Sequence, residues 1–501
     1  MQGFTVVDLV ILVVYLAAVL FAGLHFAKKE MKGKEYFKGD GTVPWWVTSV
    51  SIFATLLSPI SFLSLAGNSY AGTWIMWFAQ LGMLLAIPLT IKFFLPIYSK
   101  LDIDTAYHYL ELRFGSKGLR VLGAVMFIIY QIGRMSIIMY LPCMVLGSLT
   151  GISVNLLIII MGVIAIIYSY TGGLKSVLWT DFIQGSVLLI GVTFALVFLL
   201  VHLDGGFGAI AHAFTAEHKF LAVDQPIFNA NIFKDSVFIL IVGAGFNTMG
   251  YYVSSQDIVQ RFTTTTDTKK LNKMMLTNGA LSIFIATVFY LIGTGLFVFY
   301  KQNALPPAAA QDQIFASYIA FELPVGVTGL LLAAIYAAAQ STLSTGLNSV
   351  ASSWALDIQS NLSKEELGFE KETKIGQRVS LAVGIFSIVV AMVLANGGVK
   401  SAYEWFNGFM GLVLGILIGT FILGAFTKVA NTFGATAAFI AASAVMVYIK
   451  YFVPAGQVTI WSYSIISIAV SLVVGIPASI IWRNIKGDKS EPAPNTTIYK
   501  N

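Results

Sequence analysis

One apolar stretch holds an unusual density of oxygen donors: Ala337-Ala338-Ala339-Gln340-Ser341-Thr342-Leu343-Ser344-Thr345-Gly346. On a helix, residues three or four apart share a face. Ala338, Ser341, Thr342 and Thr345 therefore form one stripe, with Ser344 flanking Ser341. Hydroxyls and an open alanine carbonyl are hard donors suited to a hard cation. Small residues also let helices approach closely, and Ser or Thr can satisfy carbonyls of their own helix. Packing alone would be served as well by Ala and Gly, so the hydroxyls point to an ion.

Two charges sit inside apolar runs. Arg134 lies in Tyr130-Gln131-Ile132-Gly133-Arg134-Met135-Ser136. A charge at that depth is expensive and serves a ligand, a cavity or a partner. Its planar fork suits a carboxylate; the other reading is a structural ion pair. Asp181, in Trp179-Thr180-Asp181-Phe182-Ile183-Gln184, either caps a helix or gives a cation a carboxylate ligand. Gln80 can hydrogen-bond a polar solute or a neighbouring helix.

Two interruptions accompany these groups. Pro59, in Leu56-Leu57-Ser58-Pro59-Ile60-Ser61, has no N–H and leaves the Thr55 carbonyl without its helical donor. The run Gly243-Ala244-Gly245-Phe246-Asn247-Thr248-Met249-Gly250 offers a second weak point. Breaks at membrane depth are tolerated only where they face protein or a water-filled cavity. The two interruptions open successive groups of five apolar runs, the sequence pointer to an inverted repeat with a binding site at mid-depth.

The elements that must position these residues are membrane spans. Of 501 residues, 57% are hydrophobic and 11% charged, against about a quarter charged in a soluble globular domain. Thirteen apolar runs are predicted: 4–26, 46–68, 73–99, 119–149, 152–170, 176–202, 233–255, 274–300, 325–356, 377–397, 404–426, 429–449 and 460–482. With the amino terminus outside, 24 Lys and Arg residues fall on the cytoplasmic side and 5 outside. That bias follows the positive-inside rule and is a matter of topology, so no nucleic-acid partner is implied. Residues 1–483 read as one polytopic unit in the cell membrane. The external segment 203–232 reads as short helices or a lid, and 484–501 as a polar cytoplasmic tail without fixed structure. No Walker motif suggests ATP coupling. No nucleophile, base and metal cluster suggests an enzyme, and the single Cys143 forms no internal disulfide.

The chain resembles the sodium/solute symporter family through Tyr36-Phe37-Lys38-Gly39, through Tyr170-Thr171-Gly172-Gly173-Leu174-Lys175-Ser176-Val177-Leu178-Trp179-Thr180-Asp181-Phe182-Ile183-Gln184, and through Gln256-Asp257-Ile258-Val259-Gln260-Arg261-Phe262. The resemblance implies an all-α membrane protein of the leucine-transporter type. A leading span would precede two inverted five-span halves, about 44–202 and 233–426, and two trailing spans at about 429–482 would follow. It implies a first Na+ site from the Ala54, Leu57 and Ala338 carbonyls with the Ser341 and Thr342 hydroxyls. A second would use Asp181, Ser341, Ser344 and Thr345. Among members the chain is most similar to the bacterial sialic acid symporters. There Arg134 would meet the carboxylate of the sugar acid, and Gln80, Ser58 and Ser61 its polar groups; Asn247 completes the expected solute set. Leu56 and Pro59 depart from that pattern, standing where hydroxyls would suit a polyhydroxylated solute. The expected function is sodium-driven import of an anionic sugar by a monomer in the bilayer, two Na+ per solute, with Na+ as coupling ion and no catalytic cofactor. A neutral sugar, proline or another monocarboxylate is the rival cargo, and a solute sensor the rival class.

Overall fold

The computed structural model describes residues 5–27, 34–39, 41–304, 311–363, 368–397, 402–454, 456–487 and 491–499. These residues form helices and connecting turns, with no strand among them. Ten helices are long and apolar enough to cross a bilayer, and the bent pair Trp45–Leu56 with Pro59–Ala71 makes an eleventh. The shorter apolar helices Val154–Ile167 and Val413–Phe426 fall on two further expected spans, so the set is compatible with thirteen. The expected loop charge Arg261 is instead wholly buried, in a short helix Gln256–Phe262.

The break in the second span lies where Pro59 requires it. Leu57 (ψ 105°) and Ser58 (ψ 162°) are extended. The second half then restarts with Pro59 in its first turn and Ser58 as its cap, and the halves bend by 64°. Proline suits that first turn because its missing N–H would be unpaired there anyway. The Ser58 hydroxyl accepts the Ser61 N–H at 3.3 Å, as a cap should.

The fifth and sixth spans run as Val154–His202 with a single non-helical residue, Gly173 at φ 54°. A Cβ there would lie 2.7 Å from the Tyr36 carbonyl oxygen, so both the positive φ and the close approach demand glycine.

The seventh span corrects the expected second interruption. Val237–Ser254 is helical straight through 243–250, and the break falls at Ser255 (φ −94°, ψ 119°), where Gln256–Phe262 begins. The glycines serve contact: Gly243 abuts the Trp461 carbonyl and Gly250 the Ile418 side chain.

Two apolar cores meet across the middle of the bundle. The fourth span gives Met135–Leu146 to one and Leu119–Tyr130 to the other; the ninth gives Leu331–Leu347 to one and Val350 and Ile358 to the other. The polar residues of interest fall at that changeover.

Outside the bundle, the 203–232 segment forms a helix, Gly206–Ala216, and is pinned down by Lys219. Its ammonium donates to the Tyr70 and Gly72 carbonyls at 2.7 and 2.9 Å, capping the end of the second span. Asp8 of the first span accepts from the Gly326 and Gly329 amides, both at 2.8 Å, capping the ninth. The carboxyl-terminal tail also differs from expectation. Residues 491–499 are docked: Tyr109 Oη donates to the Thr496 carbonyl, Ile498 N to Ala425 O and Tyr499 Oη to Phe426 O, each at 3.0 Å. Thr496 and Thr497 are buried and Ile498 partly so, at the end of a polar sequence whose average composition does not reveal it.

Candidate functional site

The carbonyl that Pro59 leaves open is taken by Arg134. Its Nη2 donates to Thr55 O at 2.7 Å. Nη1 donates to Asp257 Oδ2 at 2.5 Å and to the Tyr251 hydroxyl. Tyr251 in turn donates to Asp257 Oδ2 at 2.5 Å, and Ser255 Oγ donates to Oδ1 at 2.6 Å. Arg134 is 3% exposed and Asp257 fully buried. A buried charge is tolerated only when paired and hydrogen-bonded, which this set achieves. The Ser255 break makes the pairing possible, because it turns Asp257 back toward the fourth span. The guanidinium therefore sits at a helix break, on a carbonyl at the carboxyl end of Trp45–Leu56, where a cation is favoured.

A second buried pair lies one helical turn further on. Arg261 Nη2 donates to Asp181 Oδ2 at 2.6 Å and to Thr345 Oγ1 at 2.7 Å. Ser51 Oγ and Thr345 Oγ1 also donate to that oxygen, at 2.6 and 3.1 Å. Asp181 Oδ1 is turned away from Arg261 toward the buried Ser341 hydroxyl, its neighbour on the ninth span. A carboxylate oxygen and a hydroxyl side by side are hard donors of the kind that suits a Na+-type cation. Asp181 is thus no mere helix cap: it lies within the continuous sixth span.

The ninth-span members of the first expected cation set lie on one buried helix. Thr342 Oγ1 donates to the Ala338 carbonyl at 3.0 Å and Ser344 Oγ to Ser341 O at 3.1 Å. The intrahelical reading of these hydroxyls is therefore correct, but it uses only their protons. Each oxygen keeps lone pairs for a cation. Ala54 and Leu57 stand at the break opposite, and Thr55 Oγ1 lies 3.4 Å from Thr345 Oγ1, so the second and ninth spans touch here.

The solute set is less compact. Ser58 is buried and its hydroxyl lies 3.4 Å from that of Ser61, which is half-buried. Gln80 is half-buried in the 3₁₀ stretch Trp74–Gly82. Asn247 is exposed, and its side-chain oxygen accepts from Ser464 of the last span at 3.0 Å, so the structure does not join it to Arg134. Gly82 and Gly245 bring the third and seventh spans into backbone contact, with Gln80 and Asn247 each two residues away.

Sequence reasoning missed Asp257, Tyr251, Arg261, Ser51 and Gln131. Asp257 and Arg261 are opposite charges spaced i,i+4, a usable signal of a helix, but the stretch reads as loop because it follows the end of the apolar run at 255. Gln131 is fully buried with neither amide atom partnered, against Gly346; only its presence one turn before Arg134 hinted at it.

A helical bundle with a mid-depth break, a buried guanidinium and a cluster of buried hard oxygens defines a cation-coupled solute transporter. Residues 36–442 match the sodium:solute symporter family, and the chain belongs to it. It is 33% identical to the sodium/sialic acid symporter SiaT of Proteus mirabilis, over 99% of this chain and 100% of that one. It is 30% identical to the sodium/sialic acid symporter NanT of Aliivibrio fischeri, over 97% and 96%. A solved structure of a Na+-coupled sialic acid symporter in a substrate-bound outward-open state superposes with a TM-score of 0.88 at 33% identity, covering 96% of this chain and 98% of that one. The nucleobase-cation-symport-1 family transporter Mhp1, at 15% identity, and MhsT, at 12%, share the fold alone, with TM-scores of 0.57 and 0.53. The fold is thus of the leucine-transporter type, and these relatives are symporters, not enzymes.

Proposed function

We propose that the protein is a sodium-coupled symporter that imports sialic acid by alternating access. The observation that carries this is Arg134, a buried planar cation held at the helix break by the Thr55 carbonyl and Asp257. A sugar acid's carboxylate would take the guanidinium edge now on the Thr55 carbonyl, while Asp257 holds the other. Ser58, Ser61 and Gln80 would meet the sugar's polar groups. The coupling ions would sit at Ala54, Leu57, Ala338, Ser341 and Thr342, and at Asp181, Ser341, Ser344 and Thr345. Because the Ser341 hydroxyl serves both sets, the two ions would be felt by one side chain.

The amino terminus outside and the carboxyl terminus in the cytoplasm agree with the 24-to-5 placement of basic residues. Residues 1–483 act as one transmembrane unit of two inverted halves, working as a monomer in the cell membrane. Uptake of labelled sialic acid into proteoliposomes, with and without a sodium gradient, tests the reading. Failure of sodium to drive uptake ends it.

One observation favours a neutral solute instead. Arg134 is already paired with Asp257, and a neutral cargo would leave that pair undisturbed. Counterflow with unlabelled sialic acid, glucose or proline separates the two readings.

A further inference from the structure

Beside the docked tail, a cleft of about 530 Å³ opens between the end of the third span and the chain terminus. Its walls include Lys92, Phe93, Pro96 and Lys100 from the span, with Ile498 and Tyr499 from the tail, and no acidic residue among those described. We propose that this cleft binds the headgroup of an anionic glycerophospholipid and that the lipid holds the tail in place.

Lys92 and Lys100 are exposed and stand eight residues apart with Pro96 between, so they share one face about 12 Å long. Lys92 lies nine residues inside Trp74–Leu101, a helix long and apolar enough to cross a bilayer. A lysine in such a helix normally finds a carboxylate or a polar cavity. Among the described residues neither lysine has an ion pair; Lys92 rests 5.2 Å over the Phe93 ring. Lys428 approaches the same patch, 5.6 Å over the Tyr499 ring. One unpaired ammonium inside the helix and one at its end, beside Ile498 and the half-exposed Tyr499 ring, match a phosphodiester joined to acyl chains at the membrane surface. A free phosphate would match the lysines but not the apolar wall. Which leaflet supplies the lipid depends on the proposed orientation; the binding itself does not.

The test is native mass spectrometry of the full chain from micelles doped with phosphatidylglycerol or phosphatidylcholine of the same acyl chains. The wild type should retain phosphatidylglycerol preferentially, by about fivefold per lysine and about twenty-fivefold for the pair. Lys92→Gln/Lys100→Gln should lose the preference, and Lys92→Arg/Lys100→Arg should keep it. Tyr499→Ala should weaken retention while leaving both charges in place. Equal retention of the two lipids, or a preference unchanged in the double glutamine variant, overturns the proposal. So does displacement of the lipid by inorganic phosphate alone.

Discussion

Arg134 supplies the donor that Pro59 withholds: its Nη2 lies 2.7 Å from Thr55 O, the carbonyl a residue with an N–H at position 59 would have satisfied. The break and the charge are thus one device. Arg134→Lys keeps the charge but cannot serve Thr55, Tyr251 and Asp257 in one plane. The expected loss in apparent affinity for the sugar acid is about tenfold to a hundredfold, the range for a charge-assisted hydrogen bond. Sodium binding should be largely kept. Unchanged half-saturation in Arg134→Ala would show that the carboxylate binds elsewhere.

Asp257→Asn separates an anionic from a neutral cargo. Without its partner, Arg134 is a buried uncompensated charge, a loss of about 3–5 kcal/mol. A bound carboxylate would restore the compensation. Sialic acid should therefore raise the melting temperature of Asp257→Asn by more than it raises that of wild type. An equal or smaller rise indicates that the carboxylate does not reach the guanidinium.

How much of this was legible in the sequence follows from what determines each feature. Pro59 announces its break because a missing N–H is a local covalent fact. The ninth-span stripe is legible because its spacing matches a helical face. The Ser255 break is not, since it owes nothing to a helix-breaking residue; the glycines before it look weaker but are held helical by Trp461 and Ile418 across the bundle. The apolar run ends at 255, so Arg261 beyond it reads as a loop charge, and the buried helix Gln256–Phe262 that carries both ion pairs is hidden. Arg134 admitted a ligand role and an ion pair alike, because sequence gives depth but not neighbours. The tail escaped because it is held by hydrogen bonds to Tyr109, Ala425 and Phe426, which a polar composition does not reveal.

Lys219 gives a pH dependence with a definite sign. Burial, aided by the Lys301 cation and opposed by Glu217, pushes its ammonium down to about 8. The folded state therefore binds fewer protons than the unfolded one between about pH 8 and the lysine value of about 10.4. Stability from this group should rise across that window, and below pH 8 its burial is a standing cost. Melting temperatures at pH 7.5 and 9.5 for wild type and Lys219→Met measure it. The rise attributable to Lys219 should vanish in the variant; identical pH responses would show that the ammonium is better solvated than its two carbonyl contacts imply.

Thr342→Ala removes one oxygen from the first cation set and leaves helix propensity intact or improved. Its hydroxyl proton goes to the Ala338 carbonyl, so only an oxygen lone pair and one weak bond are lost. Sodium affinity should fall. Because ion and solute binding are linked, apparent solute affinity should fall at low sodium and partly recover at high sodium. A uniform fall at every sodium concentration would instead mark damaged packing between the second and ninth spans.

The number of ions follows from charge. A sialic acid is an anion near neutral pH, so one Na+ makes the transported complex neutral and the membrane potential adds nothing. Two Na+ leave one net positive charge, on which the potential acts with about 2.3 kcal/mol per 100 mV, more than tenfold in accumulation. Asp181 Oδ1 and Ser341 Oγ are buried and adjacent, two hard oxygens that a second ion would share. The other Asp181 oxygen is held by Arg261, so the carboxylate is fixed in place before the ion arrives. Uptake into proteoliposomes should quicken when a potassium-diffusion potential makes the interior negative, with a sodium Hill slope above one. Asp181→Asn removes the charge that offsets the second cation and strands Arg261. Transport should become weak and insensitive to voltage, or cease, and the melting temperature of the variant tells lost coupling from lost fold. A wild-type rate indifferent to voltage, with a Hill slope near one, would leave Asp181 as the structural partner of Arg261 and nothing more.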